Sequence, residues 1–269
     1  MLERRGVGAA ALALLALAGS QASGADLPDI KQQGTIRILT VNEGPEPRFI
    51  SMQAGPQRGF DREILEGFAR AHSLRIDFVF LPSWEGLIPR LLAGDGDMIA
   101  GRVTSTTERR KVIDFTNEVF PTRIVIVTRK PQPPVGTREE LLAQRIATIK
   151  GTAMIEALTA AGVPAAKIDD SFRPGELPGA LRARQGLVVA WAVEAAMVAQ
   201  LKDPDLELGL FLSPPESLAY GVRRGSPRLL AALNDHLGTL RRSGTWNRLV
   251  VQYFGQKAPE ILAKAREGK

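Results

Sequence analysis

Cysteine is absent, and histidine occurs only as His72 and His236, more than half the chain apart. The sequence therefore offers no thiol nucleophile, disulfide or thiolate metal ligand, and neither a Ser-His-Asp centre nor a histidine metal site is expected. The residues that could do chemistry are of another kind. Thr104-Ser105-Thr106-Thr107-Glu108-Arg109 places hydroxyls at a predicted helix start, followed by a guanidinium. Amides at a helix start attract anions, and a guanidinium can hold a carboxylate through two parallel hydrogen bonds. Thr152, in Lys150-Gly151-Thr152-Ala153, stands at a second predicted helix start with the same capacity. The plain alternatives are that both threonines are helix caps and that Arg109, followed by Arg110 and Lys111, is a solvated surface residue. Trp84 offers a flat face for an aliphatic stem or a cation, or a side chain for the core. Glu194 follows a buried-looking apolar run; it could receive an ammonium, donate a proton if its pKa is raised, or simply favour a helix N-terminus.

These groups sit on alternating strands and helices. Residues 35–41 (TIRILTV) and 75–81 (RIDFVFL) are β-branched and predict strands, and the helix between them carries Ile64, Leu65 and Phe68 at helical spacing. A helix is expected over 83–94, from Ser83 to Gly94, then a strand over 97–103 and a short helix after it. This order predicts a mostly parallel sheet covered on both faces. The pattern then restarts. A strand over 120–130, a Pro-rich connection, a short helix, a strand over 145–149, a Gly-Thr turn and a helix come next. A further helix, the apolar strand GLVVAWAV, the helix EAAMVAQLK, the strand candidates LELGLFL and LAYGVRR, and two closing helices complete the chain. Two such α/β units imply two lobes, and ligands in these sheets favour strand ends or the cleft between lobes.

Of 269 residues, 44% are hydrophobic and 24% charged, which excludes a disordered or collagen-like chain. No repeat or heptad run is visible, so a solenoid or coiled coil is not expected. The net charge of +6 permits nucleic acid, anionic lipid or an acidic small ligand as partner without choosing among them. Residues 1–25 read as a signal peptide. Arg4 and Arg5 form a positive start, Val7 to Ala18 a short apolar run, and Ala22 with Gly24, or Ser23 with Ala25, fit the cleavage preference. The apolar run is shorter than the roughly 18–20 residues that span a bilayer. An exported protein is expected, and with dispersed Lys and Arg this argues against nucleic acid as partner.

With these motifs in order, the chain resembles the amino-acid-type periplasmic solute-binding proteins, the solute-binding protein family 3 of ABC importers. The resemblance runs from Gly34 to about Gly255 and rests on GTIRILT, GFDREIL, EGLIPRLLAGDGDMI, TSTTERRKVIDFT, IATIKGTA and LNDHLGTLRRSGTWNRLVVQYFG. It implies an α/β, two-lobed periplasmic-binding-protein type II fold. The expected division is a signal peptide over 1–25, a first lobe over 26–119, a second lobe over 120–216, and a return to the first lobe with the closing helices over 217–269.

The resemblance also implies roles. Arg109 would pair with the carboxylate of a ligand, with Thr104 beside it and Thr152 closing from the other lobe. Trp84 would be a wall of the first lobe, and Glu194 stands where relatives carry an Asp that takes the ligand's ammonium. The chain departs from the pattern in three ways: Phe49 is the nearest candidate for the aromatic before GFD, Gly101 and Arg102 replace small hydroxyl residues, and Glu194 is longer than Asp. A second arginine in the site leans towards an additional carboxylate on the ligand. The implied protein is a monomeric, non-catalytic periplasmic receptor for a small carboxylate-bearing solute, working with a membrane permease and with no cofactor or metal. An accessory or sensor subunit and a cyclohexadienyl-dehydratase-like enzyme using Glu194 as general acid are the alternatives. The chain stops soon after the closing helices, so no transglycosylase domain is expected.

Overall fold

The computed structural model describes residues 25–41, 49–50, 58–150, 152–173 and 175–267. The expected signal peptide up to Gly24, most of the loop over 42–57, and Gly151 lie outside the described residues.

The described chain opens with helix α1 (Leu27–Gln33), which the sequence pattern did not announce. Its start is set by Asp26 and Asp29, which form a reciprocal capping box, with Pro28 in the first turn. Asp26 also accepts the amide of Leu229 at 2.8 Å, tying this end to the closing helices. Strand β1 (Thr35–Val41), helix α2 (Phe60–Ala71) and strand β2 (Arg75–Leu81) follow as expected. The helix expected over 83–94 is divided: a 3-10 turn over Trp84–Gly86 precedes helix α3 (Leu87–Leu92). Pro89 has no N–H to give to the carbonyl of Glu85, so a regular α-ladder cannot run through this point. Strand β3 (Met98–Ile99), helix α4 (Thr107–Arg110) and strand β4 (Asp114–Phe115) complete this part.

The strand expected over 120–130 is two strands. β5 (Phe120–Thr122) ends before Arg123, and β6 (Ile124–Arg129) belongs to a different sheet. Helix α5 (Arg138–Ala143), strand β7 (Ile146–Ile149), helix α6 (Ala153–Ala160), strand β8 (Ile168–Phe172), helix α7 (Leu177–Ala183), strand β9 (Val188–Ala192), helix α8 (Val193–Lys202) and strand β10 (Leu206–Phe211) surround it. Strand β11 (Glu216–Leu218) leads back to strand β12 (Gly221–Val222) and helices α9 (Pro227–Arg242), α10 (Thr245–Phe254) and α11 (Ala258–Arg266).

The two lobes are thus built on one sheet of order β2-β1-β3-β12-β4 and another of order β10-β6-β9-β7-β8. β5 and β11 form an antiparallel pair of their own where the chain passes between the sheets. The α/β class and the two lobes are as expected, and each sheet is mixed. β1 is parallel to β2 and β3, and β7 to β8 and β9, as βαβ units require. β12 and β6 enter directly from the crossing strands, with no helical crossover to impose a direction, and run antiparallel to β3 and β9. Every residue of β9 is buried, which explains its unbroken apolar sequence.

A ring cluster holds the crossing to the first lobe. Phe60 of α2 meets Phe120 of β5 at 5.4 Å between ring centroids, Phe254 of α10 meets Phe120 at 4.7 Å, and Phe49 packs against all three. Trp246 joins them and donates its indole N–H to the carbonyl of Val119 at 2.7 Å.

His72 and His236, distant in sequence, both pack on Phe68, at 4.5 and 5.8 Å between ring centroids. Burial holds His236 below the usual imidazole range, opposed by its contact with the Ile64 carbonyl and reinforced by His72 and Arg70. Burial and Lys31 do the same to His72. Both groups are harder to protonate in the folded state than in the unfolded one, whose imidazole titrates near ~6.5. The stability they contribute is therefore full above that value and is lost as pH falls below it. The Tm should fall between pH 7.5 and 5.5, and thermal unfolding of His236→Gln should show a smaller fall; an identical fall in both proteins would remove His236 from the cause.

Candidate functional site

The loop between β3 and α4 supplies most of the site. Gly101 and Arg102 both take left-handed backbone, with φ of 85° and 60°, and this turns the chain out of the sheet after β3, short of the strand end expected at Val103. At Gly101 only glycine fits: a Cβ would lie 2.6 Å from the Thr40 hydroxyl, and the Gly101 amide donates to Asp61 at 3.1 Å. Left-handed backbone at Arg102 costs about 1 kcal/mol for a residue with a Cβ. Its side chain reaches the other lobe. The Arg102 Nε and Nη2 donate to Oε1 of Glu194 at 3.2 and 3.0 Å, and the guanidinium lies over the Phe49 ring at 5.9 Å.

Glu194, in the first turn of α8, is 2% exposed. Its other oxygen, Oε2, accepts the hydroxyl of Thr122 at 2.7 Å. Residues from the β3–α4 loop, the crossing strand β5 and the second lobe thus meet in one polar knot. Arg102, expected as a second anchor for ligand carboxylate, is paired in this structure with a carboxylate of the protein itself. Phe49, the nearest candidate for the aromatic before GFD, lies 2% exposed within the ring cluster and touches the site through Arg102.

From two residues after Arg102, the chain is stitched to β11. Thr104 forms a β-bridge with Leu218, and the Ser105 amide donates to the carbonyl of Ser217 at 2.9 Å. Thr106, not Thr104, caps α4, accepting the Arg109 amide at 3.3 Å. The carbonyl of Thr104 instead accepts Nη1 of Arg109 at 2.9 Å and aims the guanidinium. Burial pulls the Arg109 pKa down from its usual value, countered by the carboxylates of Glu216 on β11 and Glu156 on α6. Burial in turn raises the Glu216 carboxyl, opposed by Arg109 and reinforced by Glu156. Arg109 therefore sits, partly desolvated, where the first lobe, the crossing strands and a helix of the second lobe face one another.

Beside Arg109 is a hollow of about 130 Å³ lined by Trp84, Glu85, Leu87, Ile88, Val103 and Arg109. Trp84 is 36% exposed, so its ring is an open wall rather than core. Thr152 occupies the cap position of α6 without capping it, because its hydroxyl donates to the Ile149 carbonyl at 2.6 Å. The structure thus places Arg109 and Trp84 on the hollow, with the Thr104 carbonyl holding Arg109, and joins Arg102, which follows Gly101, to Glu194 and Phe49. The Thr152 hydroxyl is turned onto its own chain. Sequence reasoning did not single out Thr122, Glu156 or Glu216. Glu156 lies one helical turn after Thr152 and could have been noticed; Thr122 and Glu216 lie on short crossing strands whose pairing is not written locally. A cation with spare donors, an aromatic wall and a small hollow can bind a small anionic group. Among the described residues no group of His, Asp and Glu is arranged to hold a metal ion.

The chain is similar to curated proteins and to solved structures. A membrane-bound lytic murein transglycosylase F of Desulfosudis oleivorans is 25% identical over 84% of this chain, which spans 50% of that protein's length. A probable histidine-binding protein of Neisseria gonorrhoeae is 26% identical over 93% of this chain and 95% of its own. Among solved structures, a mutant of ArgBP from T. maritima is 27% identical, with a TM-score of 0.68 over 86% of this chain and 99% of that one. Residues 36–256 match a single family across both lobes, and the chain belongs to the bacterial extracellular solute-binding proteins, family 3.

Proposed function

We propose that this protein is a periplasmic receptor that captures a small polar solute bearing a carboxylate, an amino acid or a relative of one, and delivers it to the permease of an ABC importer. The carrying observation is Arg109, partly desolvated beside the Trp84 hollow, its guanidinium held among the described residues by one hydrogen bond, to the Thr104 carbonyl. A carboxylate arriving there would find unused N–H donors in a site of reduced dielectric, where a charge-assisted pair is strong. Closure about β5 and β11 would bury the solute, and the closed form would be the one a permease reads. The family, described as extracellular, and the relative named as a probable histidine-binding protein support this reading. The first 25 residues would act as the cleaved export signal, and no helix among the described residues is long and apolar enough to cross a membrane. The receptor would act without a catalytic step, since the carboxyl group of Glu194 is engaged by Arg102 and Thr122.

A second reading has one observation behind it. The match to half of a lytic murein transglycosylase F favours a binding module that serves another periplasmic protein and takes a cell-wall fragment as ligand. One experiment addresses both. Thermal unfolding is followed with amino acids, dicarboxylates, N-acylated amino acids and muropeptides, and each is recovered for mass spectrometry alongside prephenate and arogenate. A true ligand at a hundred times its Kd adds about 2.7 kcal/mol of stability and returns unchanged. Stabilisation by muropeptides alone favours the second reading, net conversion of any compound overturns the non-catalytic assignment, and no response from any class overturns the receptor itself.

A further inference from the structure

Glu194 is a carboxylate buried between the lobes, the natural receptor for a cation. It is already supplied with one. Arg102 gives two N–H groups to Oε1, and Thr122 gives its hydroxyl to Oε2. A carboxylate has about four acceptor positions, so three are taken and both oxygens are engaged. Arg102 is no surface arginine that drifted inward. Its backbone adopts φ of 60°, unfavourable for a residue with a Cβ, and the ring of Phe49 lies beneath the guanidinium. Arg102 is also close to Arg109 along one loop. Of the two residues that separate it from Ser105, Val103 lines the hollow with Arg109 and Thr104 orients Arg109 through its carbonyl.

We propose that Arg102 is a resident cation that fills on Glu194 the place a ligand's ammonium would take, so that the cleft selects carboxylates with no free ammonium beside the carboxyl group. The chemical class is hydroxy acids, oxo acids and N-acylated amino acids. This deepens the receptor reading of the cleft and rests on it. A free ammonium would have to displace Arg102 from a buried carboxylate or lie against a like charge, and both outcomes weaken binding. An uncharged amide or hydroxyl in the same position meets neither obstacle.

Two experiments decide it. The first needs no natural ligand. Arg102→Ser vacates the place, and ethylguanidinium or ethylammonium chloride at millimolar concentration is added against sodium chloride of equal ionic strength. The Tm of Arg102→Ser should rise with either cation, while wild type and Arg102→Ser/Glu194→Gln should not respond; an equal response in all three proteins overturns the proposal. In the second, calorimetric titration of wild type compares each amino acid with its N-acetyl and 2-hydroxy counterparts. The ammonium-free member should bind at least tenfold more tightly, and Arg102→Ser should narrow or reverse the ratio. A preference below tenfold, or one for the free amino acid, overturns the proposal. If no member of any pair binds wild type, the receptor reading has failed, and the cation response alone decides the role of Arg102. If Arg102→Ser does not fold, the wild-type ratios decide it.

Discussion

Arg109→Ala should lower affinity for the solute by about two decades or more, because a carboxylate loses two charge-assisted hydrogen bonds worth ~1.5 kcal/mol or more each. The empty protein should unfold at nearly the same temperature. Among the described residues the Arg109 side chain gives the fold one hydrogen bond, to the Thr104 carbonyl, and burial of the guanidinium works against that gain. Arg109→Lys should recover only part of the affinity, since an ammonium cannot match both carboxylate oxygens with a fixed fork. Calorimetric titration of the three proteins with the solute found by thermal shift checks this. Unchanged affinity in the alanine variant would move the anion site elsewhere in the cleft.

Asp97→Ala should be the most destabilising of the substitutions considered, by about 3–5 kcal/mol, the scale on which removing one partner of a buried ion pair acts. Asp97 is fully buried immediately before β3. Its carboxylate accepts the Arg37 amide at 2.8 Å and Nη2 of Arg37 at 2.7 Å, and lies 3.7 Å from Nη2 of Arg223. Arg223 is itself buried and donates to the carbonyls of Leu91 and Gly96, so without Asp97 it would be a cation enclosed without a counter-charge. β1, β3, α3 and the end of β12 would lose their common fastening. Urea unfolding measures the loss, and a change below ~1 kcal/mol would show that Arg37 and Arg223 are satisfied by other groups. Asp97→Asn should cost less, because the amide oxygen can still accept the Arg37 amide.

Wherever a local period and a burial requirement coincide, the sequence was a sufficient guide. The β-branched runs at 35–41 and 75–81 form β1 and β2 with those bounds, and the apolar spacing of Ile64, Leu65 and Phe68 faces the core. The two expected closing helices form as α9 and α10 where their apolar stripes put them, and a third, α11, follows without having been expected. β8 escaped because its residues Ile168–Phe172 are mostly polar and only partly buried. α1 escaped because its start rests on Asp26 and Asp29, a capping box without a long apolar stripe behind it.

By itself, then, the sequence determined the α/β class, the two units and the loop that carries Arg109, because hydrophobic periodicity and helix starts are properties of neighbouring residues. Only the tertiary structure decided which sheet each strand joins. The run over 120–130 looks like one strand and is divided at Arg123 because β5 pairs with β11 and β6 with β9. It alone decided the partners of the charges. Arg102 and Glu194 are 92 residues apart, and Tyr220 donates its buried hydroxyl to Asp61 across 159 residues. Such pairs form because a buried charge must find a counter-charge or a hydrogen bond wherever the fold brings one, and sequence distance does not enter that requirement.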